Sequence, residues 1–243
     1  MRGGANLIDL AQWLARRWPS EPALVAAVAS SGCAPLHRRG SGAVLGLIDA
    51  AIEPEVRDLV GASMQVRGFA RRAASSRALR DHGTCSATLL VGQGTHALRG
   101  LVPDATLLVA TVAEDDGEAL PERVAEALVW LADAGATIIA VPMGSRERVP
   151  PLERAVASVV TRGVQVLAAR GGASADAAWF PAGYPQVQAV AALPDGDLPV
   201  VGGDGLVSLR GGSSIACVAR AGLAALRAVH AGRASGLDAS ARS

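Results

Sequence analysis

The stretch ATLLVATVAEDDGEALPERVAEALVWLADAGATIIAVPM, residues 105–143, contains two apolar runs of strand length separated by an amphipathic segment. The runs ATLLVATV (105–112) and ATIIAVPM (136–143) read as strands that are buried on both faces. Between them, ERVAEALVWLADAG (122–135) has apolar residues at helical spacing. A strand, a helix and a second strand in this order predict a parallel α/β unit.

The same alternation continues on both sides of this unit. AVLGLID (43–49) is a further buried strand that ends in an acid, and LERAVASVVTRG (152–163) before VQVLAA (164–169) repeats the helix and strand. Shorter β-like pieces follow between residues 181 and 209, and SSIACVARAGLAALRAVHAG (213–232) predicts a last helix. The chain is therefore expected to be an α/β protein.

The domain organisation follows from length and composition. With 243 residues, half of them hydrophobic, the chain suits one large domain, which we assign to residues 41–232. Residues 1–40 predict a helical N-terminal lead-in, and residues 233–243 a flexible C-terminal tail. The Arg-rich segment 66–85 gives no firm secondary-structure prediction.

Composition excludes several classes of function. The net charge is +1, with charges of both signs scattered, so neither nucleic acid nor an anionic membrane is expected as a partner. Every basic residue counted as Lys or Arg is Arg, which excludes Schiff-base lysines and Ser-Lys dyads. No apolar run approaches the roughly 20 residues that span a bilayer.

Three widely spaced cysteines without a CxxC pair favour reduced thiols over disulfides or a zinc site. The N-terminus lacks an apolar run of signal-peptide length, so a cytoplasmic protein is expected. No cofactor and no metal site is predicted, calcium included.

Three residues together offer the parts of an acyl-transfer site: a carboxylate, an imidazole and a hydroxyl. Asp49 ends a predicted parallel strand, where reactive groups gather in open α/β sheets. His82 precedes Gly83 and Thr84, which would lead into an apolar helix and leave the imidazole at the helix N-terminus. The other histidines, at positions 37, 96 and 230, lie in less suitable loops or near the C-terminus.

The hydroxyl is supplied by Ser214, where a glycine-rich turn meets a helix, so its hydroxyl and backbone N–H could face a bound carbonyl. Taken singly, Asp49 is equally natural as a helix N-cap, and Ser213 or Ser214 as the cap of the last helix. Taken together, the order Asp, His, Ser is a known order of a catalytic triad.

Six blocks of the sequence resemble signature blocks of the subtilase family, in the family's order and register across residues 41–230. These blocks are VLGLIDAAIE, DHGTCSATLLVG, GLVPDATLLVATV, GATIIAVPMG, VLAARGGASADAAWFPAGYPQVQAVAA and GGSSIACVARAGLAAL. The resemblance implies a three-layer subtilisin-like fold, with a mostly parallel central sheet and helices on both faces. It also implies that Asp49, His82 and Ser214 are the catalytic triad and that the substrate is a peptide or protein.

The resemblance implies further site residues as well. Pro142, Met143 and Gly144 match the strand that pairs with extended substrate, together with Ala168 and Ala169 on the following strand. Pro142 stands where the family usually has Ser and removes one donor from that edge.

The oxyanion region would comprise Gly172, Arg170 and Ser213. Gly172 stands where the family has the Asn that donates to the oxyanion, and Asn6 is the only Asn in the chain. Either Arg170 or a water beside Gly172 is a candidate replacement donor. Loss of one such donor typically costs about 10²–10³ in turnover.

Two functions of different classes follow. The first is a serine endopeptidase that cleaves peptide bonds. It could be a dedicated processing protease for a peptide precursor, and it could act in a processing complex with a partner protein. The alternative is a pseudoprotease that binds a peptide or partner through the same cleft. Three departures from the family pattern favour it: Gly172, Pro142, and Ala51 in place of the usual Gly of the aspartate block. Labelling of Ser214 by a fluorophosphonate would separate the two.

Two further interpretations are weaker. A generic α/β hydrolase would need a G-x-S-x-G elbow after a strand, which the sequence does not offer convincingly. The acidic stretch AEDDGE (113–118) could favour basic substrate residues through Asp115 and Asp116, but a solvated loop is the simpler interpretation.

Overall fold

The structure, a computed structural model, describes residues 8–9, 40–72, 74–95, 98–114, 116–171, 179–191, 197–202, 205–210 and 212–240. Its helices are α1 (Arg77–Val91), α2 (Pro121–Asp133), α3 (Pro150–Thr161) and α4 (Ser213–Ser240). Its strands are β1 (Ile8–Asp9), β2 (Val44–Asp49), β3 (Met64–Gly68), β4 (Leu98–Arg99), β5 (Thr106–Thr111), β6 (Ile138–Val141), β7 (Gln165–Ala169), β8 (Gln188–Val190), β9 (Asp197–Gly202) and β10 (Gly205–Arg210). A short 3-10 turn covers Arg57–Leu59.

The central sheet has six parallel strands in the order β3-β5-β2-β6-β7-β8. Strand β2 lies inside it and pairs with β5 from Val44 to Asp49 and with β6 at Leu45 to Leu47. The two smaller pairs are β1 with β4, which is parallel, and β9 with β10, which is antiparallel. Because all six strands run the same way, their carboxyl ends lie along one edge of the sheet.

Both faces of the sheet are covered by helices. Leu45 and Leu47 of β2 face a core shared with α1 and α4, whereas Ile48 faces a second core shared with α2 and α3. The alternation explains why the strand sequences are apolar throughout. Gly46 allows α2 to approach, since a Cβ there would lie 2.9 Å from Leu131 Cδ1. The predicted three-layer α/β fold with a parallel central sheet is confirmed.

The predicted strands and helices between residues 43 and 232 are present, with ends shifted by a few residues. The helical lead-in falls almost wholly outside the described residues; of residues 1–39 only the two of β1 are described. Helix α4 extends to Ser240 and so includes most of the predicted tail, whose flexibility stays a prediction.

Candidate active site

The candidate site lies at the carboxyl edge of the central sheet. Asp49 is the last residue of β2, and Pro142 directly follows the neighbouring β6. Arg170 directly follows β7, and its backbone N–H donates to Val190 O at 2.8 Å. Parallel strands therefore bring three of the sequence-predicted positions to one edge, as open α/β sheets do.

Asp49 and His82 form the central contact of the site. His82 Nδ1 lies 2.7 Å from Asp49 Oδ1, and the same oxygen accepts a hydrogen bond from the Ala50 N–H at 2.7 Å. The Asp49 side chain is completely buried, whereas the His82 side chain is about one third exposed. Asp49 does not cap a helix, because the chain after β2 is irregular as far as the 3-10 turn at Arg57. The buried carboxylate holds the imidazole by one ring nitrogen and leaves the other available for chemistry.

The position of His82 within its helix differs from the sequence prediction. Helix α1 begins at Arg77, so His82 lies in its second turn and not at its N-terminus. Arg77 is paired with Asp81 one turn later, at 3.7 Å. The first turn is largely exposed and lacks a run of buried apolar residues, so the sequence pattern did not predict where the helix begins.

The helix is held against the loop after β2 by two polar contacts and one close approach. Arg80 Nε lies 2.6 Å from Glu53 Oε1, and the Glu53 N–H donates to Thr84 Oγ1 at 2.9 Å. A Cβ on Gly83 would lie 1.9 Å from Ala51 O and 3.3 Å from Asp49 Cγ. Glycine at this position therefore lets α1 come close enough for His82 to reach Asp49.

The hydrogen bond with Asp49 raises the pKa of His82 above its ordinary value of 6.5. Burial of the ring lowers this pKa by a smaller amount, and the negative charge of Asp49 raises it further. A raised histidine pKa means that the folded state binds the proton more tightly than the unfolded state. The contribution of protonated His82 to the stability of the fold is present below pH 6.5 and is lost as the pH rises through the pKa of His82 in the folded state. Because the ring is partly exposed, this contribution is small.

This shift predicts the acid limb of the activity profile. If His82 is the general base, kcat/KM should fall with falling pH, with an inflection above pH 6.5, because only the neutral imidazole accepts a proton. Initial rates with one fluorogenic peptide between pH 5 and 9, at constant ionic strength, measure it. An inflection well below 6.5, in protein shown to be folded by circular dichroism, would contradict the assignment.

Ser214 lies in the first turn of α4 and is half-buried. The first hydrogen bond of the helix runs from the Ala216 N–H to Gly212 O, so Ser213 and Ser214 are helical residues that follow the cap. Helix α4 packs against α1, which carries His82, and against β6 and β7 of the central sheet. Among the described residues, no hydrogen bond joins Ser214 to His82. Such bonds are often long in unliganded enzymes.

Two cysteines that form no disulfide lie one turn after the proposed catalytic residues, Cys85 on α1 and Cys217 on α4. Both are buried in the same core, and the Cys217 thiol donates to Leu167 O at 3.4 Å. Burial raises the pKa of Cys85 to about 11 and that of Cys217 to about 12. Neither thiol is a competing nucleophile, because the reactive form is the thiolate.

A cavity of about 500 Å³ opens beside His82, within the usual range for ligand sites. The sequence-predicted substrate residues Pro142, Met143 and Gly144 line it. The remaining lining residues come from the end of β6, from the segment directly after β2, from α1, and from residues 113–124, 145–152 and 180–181: Ala50, Leu79, Ala113, Gly117, Glu118, Ala119, Leu120, Pro121, Val124, Val141, Ser145, Glu147, Leu152, Phe180 and Pro181. Of this second set, Ala113, Gly117 and Glu118 belong to the acidic stretch noted in the sequence, whereas Asp116, one of the two acids singled out there, is not among the lining residues.

Other predicted site residues are placed differently or lie outside the described part of the chain. The side chains of Ala168 and Ala169 are buried, one in each core, so any contact with substrate would be through their backbone. Arg170 is exposed, Ser213 is buried next to Ser214, and Gly172 is outside the described residues. The role of all five stays a prediction.

Within the described ranges, no group of three or more His, Cys, Asp or Glu side chains is arranged to hold a metal ion. None of the helices in the described part of the chain is both long and apolar enough to cross a membrane.

Several curated proteins match the chain, although no family model does. Thermitase of Thermoactinomyces vulgaris is 28% identical over 160 residues, which make up 65% of this chain and 57% of thermitase. Subtilisin BL of Lederbergia lenta is 30% identical over 162 residues, 64% of this chain and 58% of that protein. The chain thus spans less than two thirds of the length of these relatives.

Solved structures share the fold at low sequence identity. A serine-to-alanine mutant of the PatA protease domain matches with a TM-score of 0.71 at 23% identity, over 78% of this chain and 80% of the other. The prenylagaramide maturation protease PagA gives 0.68 at 22% identity, over 78% and 76%. The PatG macrocyclase in complex with peptide gives 0.68 at 16%, over 79% and 77%.

Proposed function

We propose that this chain, which is related to the subtilisin-like serine proteases in sequence and has their fold, is a serine endopeptidase that uses Asp49, His82 and Ser214. The observation that carries the proposal is the 2.7 Å contact between His82 Nδ1 and the buried Asp49 Oδ1, at the rim of a cavity large enough for a peptide side chain. A buried carboxylate that orients a partly exposed imidazole is the arrangement that activates a serine hydroxyl.

In the proposed reaction, Ser214 Oγ attacks the carbonyl carbon of the scissile bond while His82 Nε2 takes the hydroxyl proton. Asp49 holds the Nδ1 proton and stabilises the imidazolium that forms. His82 then gives its proton to the leaving amine as the C–N bond breaks. Water, deprotonated by His82, hydrolyses the resulting ester and restores Ser214.

The negative charge on the former carbonyl oxygen needs hydrogen-bond donors. The backbone N–H of Ser214 is one, since it lies in the first turn of α4, where N–H groups are free and the helix dipole favours an anion. The second donor of related proteases is an Asn, and Gly172 stands at that position in the sequence. The exposed Arg170, two residues earlier, is the replacement we propose.

Replacing Arg170 with alanine is then expected to lower kcat for peptide cleavage about 10²-fold or more, with little change in KM, because the donor acts on the transition state. Steady-state kinetics on one peptide measure this. The matched control is Arg154→Ala, an exposed arginine on α3 outside the site. Unchanged turnover in Arg170→Ala would contradict the role of Arg170 and leave a water as the second donor to the oxyanion.

The biological role that we propose is the processing of a peptide precursor in the cytoplasm, with or without a partner protein. Two considerations support it. The solved neighbours include maturation proteases and a macrocyclase in complex with peptide. Neither Cys85 nor Cys217 forms a disulfide, as is usual for proteins of reducing compartments.

A library of internally quenched peptides, with products identified by mass spectrometry, tests the endopeptidase activity. We expect internal cleavage at defined bonds by the wild type and none by a preparation of His82→Ala made in parallel, which controls for contaminating proteases. Folded wild type that binds library peptides but cuts none would instead support the pseudoprotease, which the glycine at position 172 would explain.

A further inference from the structure

We propose that the cavity beside His82 selects substrates with a basic side chain, and that Glu118 and Glu147 determine this selectivity. The inference rests on the proposed function in one respect: the bound group is taken to be part of a peptide lying along the cleft. The side chain would run its aliphatic part over the apolar wall and place its cation beside the two carboxylates.

The wall of the cavity suits the aliphatic part of such a side chain. Leu79 of α1, Leu120 and Val124 at the start of α2, and Leu152 of α3 all line it, together with Phe180. Arginine and lysine commonly lay their methylene groups along apolar surface while the charged end stays near water. The cavity is open enough to the solvent for that, since Leu120 is 39% exposed.

Among the described acids of the segment 113–118, Glu118 is the one that lines the cavity. Glu114 accepts hydrogen bonds from the backbone N–H groups of Arg71 and Arg72, at 2.9 and 3.1 Å. Asp116 Oδ1 accepts the backbone N–H of Glu118 at 3.0 Å. The Glu118 side chain is exposed, lines the cavity and has no ion-pair partner among the described residues.

Glu147 provides the second carboxylate, from the loop after β6. Its backbone N–H bonds to Ser145 Oγ at 3.3 Å, while its side chain is exposed and has no ion pair within the described part of the chain. The adjacent Arg148 does not neutralise it, because its guanidinium is paired with Glu153. The Arg146 guanidinium lies 5.8 Å from the centre of the Trp179 ring, and Arg146 is not among the residues that line the cavity.

At pH values where His82 is neutral, the charges that line the cavity are therefore of one sign. Among its lining residues there is no arginine, and the ionisable groups are Glu118, Glu147 and His82. A cationic side chain gains from both glutamates, whereas an acidic one would be repelled. Since both carboxylates are exposed, each should change the preference by roughly 2- to 5-fold, and less at high salt.

Paired peptides that differ only in the charge of one side chain test the inference. Fluorescein-labelled octapeptides carry arginine or its neutral isostere citrulline at each position in turn, and binding to Ser214→Ala is measured by anisotropy. We expect at least one position where arginine lowers Kd about 5- to 20-fold relative to citrulline at low salt, with a smaller ratio at high salt. In the wild type, the kcat/KM ratio of the same pair should agree.

Three variants assign the preference to residues. Glu118→Gln and Glu147→Gln should each reduce the arginine-to-citrulline ratio, and the double variant should bring it close to one. Glu55→Gln removes the same charge from an exposed glutamate outside the cavity and should leave the ratio unchanged. Equal binding of arginine and citrulline peptides at every position, or a ratio that survives the double variant, overturns the inference.

The two failures are distinguishable. If the chain cuts no peptide, the proposed catalysis fails, yet the Kd ratio in Ser214→Ala still measures the selectivity of the cavity. If peptides are cut with no preference for arginine, the catalysis stands and the role of the two glutamates fails.

Discussion

Replacing Ser214 with alanine is expected to lower kcat for peptide cleavage by roughly 10⁴- to 10⁶-fold, because the covalent route is lost. The side chain is half-buried in the first turn of α4, and alanine is a good helix former. The fold should therefore be retained, with a thermal midpoint close to that of the wild type. Single-turnover and steady-state rates on the best library peptide measure the effect.

A second serine, Ser213, directly precedes Ser214, so the test must distinguish the two hydroxyl groups. Ser213 is buried beside Ser214, and either serine lies at the start of the helix. Ser158→Ala, on the exposed side of α3, serves as the matched control and should retain wild-type rates. A loss of activity in Ser213→Ala with full activity in Ser214→Ala would contradict the assignment of the nucleophile.

Replacing Asp49 with asparagine should lower kcat by roughly 10³- to 10⁴-fold, since the amide cannot stabilise the imidazolium as the carboxylate does. Asp49 Oδ1 accepts hydrogen bonds from both Ala50 and His82, so an amide oxygen in the same place can retain the local shape. Asp49 Oδ2 is buried without a hydrogen-bond partner among the described residues, which leaves the new amide group without an acceptor there. Some loss of stability is therefore expected as well.

The same variant moves the pH profile. The carboxylate raises the pKa of His82, so its removal should shift the acid limb of kcat/KM to lower pH. Asp133→Asn, which breaks a surface ion pair with Arg162 at 2.8 Å, is the control and should leave both rate and profile unchanged. Activity within tenfold of the wild type, with an unshifted acid limb, would show that Asp49 has no catalytic role.

Much of the fold could be predicted because the signals are local. The buried strands are short runs that are apolar on both faces, and the helices between them have apolar stripes, so run length and this alternation identify β2, β5, β6 and β7. Once the strands are parallel, their carboxyl ends share an edge, which places Asp49 beside the residues that follow β6.

What the sequence could not supply depends on how separate segments meet. The first turn of α1 carries charges and no apolar stripe, so its start at Arg77 was not predicted. The cavity is built from the ends of several strands and from three helix starts, which no single segment encodes.

The acidic stretch shows the same limit. The sequence drew attention to Asp115, which lies outside the described residues, and to Asp116, whereas Glu118 is the residue that lines the cavity. The tight turn at Gly117, with φ of 89°, returns the chain so that Glu118 O accepts a hydrogen bond from the Glu114 N–H. Which acid faces the cavity therefore depends on the path of this turn.

The central claim is that Ser214 is an activated nucleophile, and labelling with a fluorophosphonate tests it most directly. Intact-mass and peptide-mapping spectrometry on folded protein should show one adduct, located on Ser214. Labelling should be absent after heat denaturation and strongly slowed in His82→Ala, because the imidazole takes the hydroxyl proton. A folded, peptide-binding wild type that acquires no adduct, or acquires it on another residue, would contradict the account.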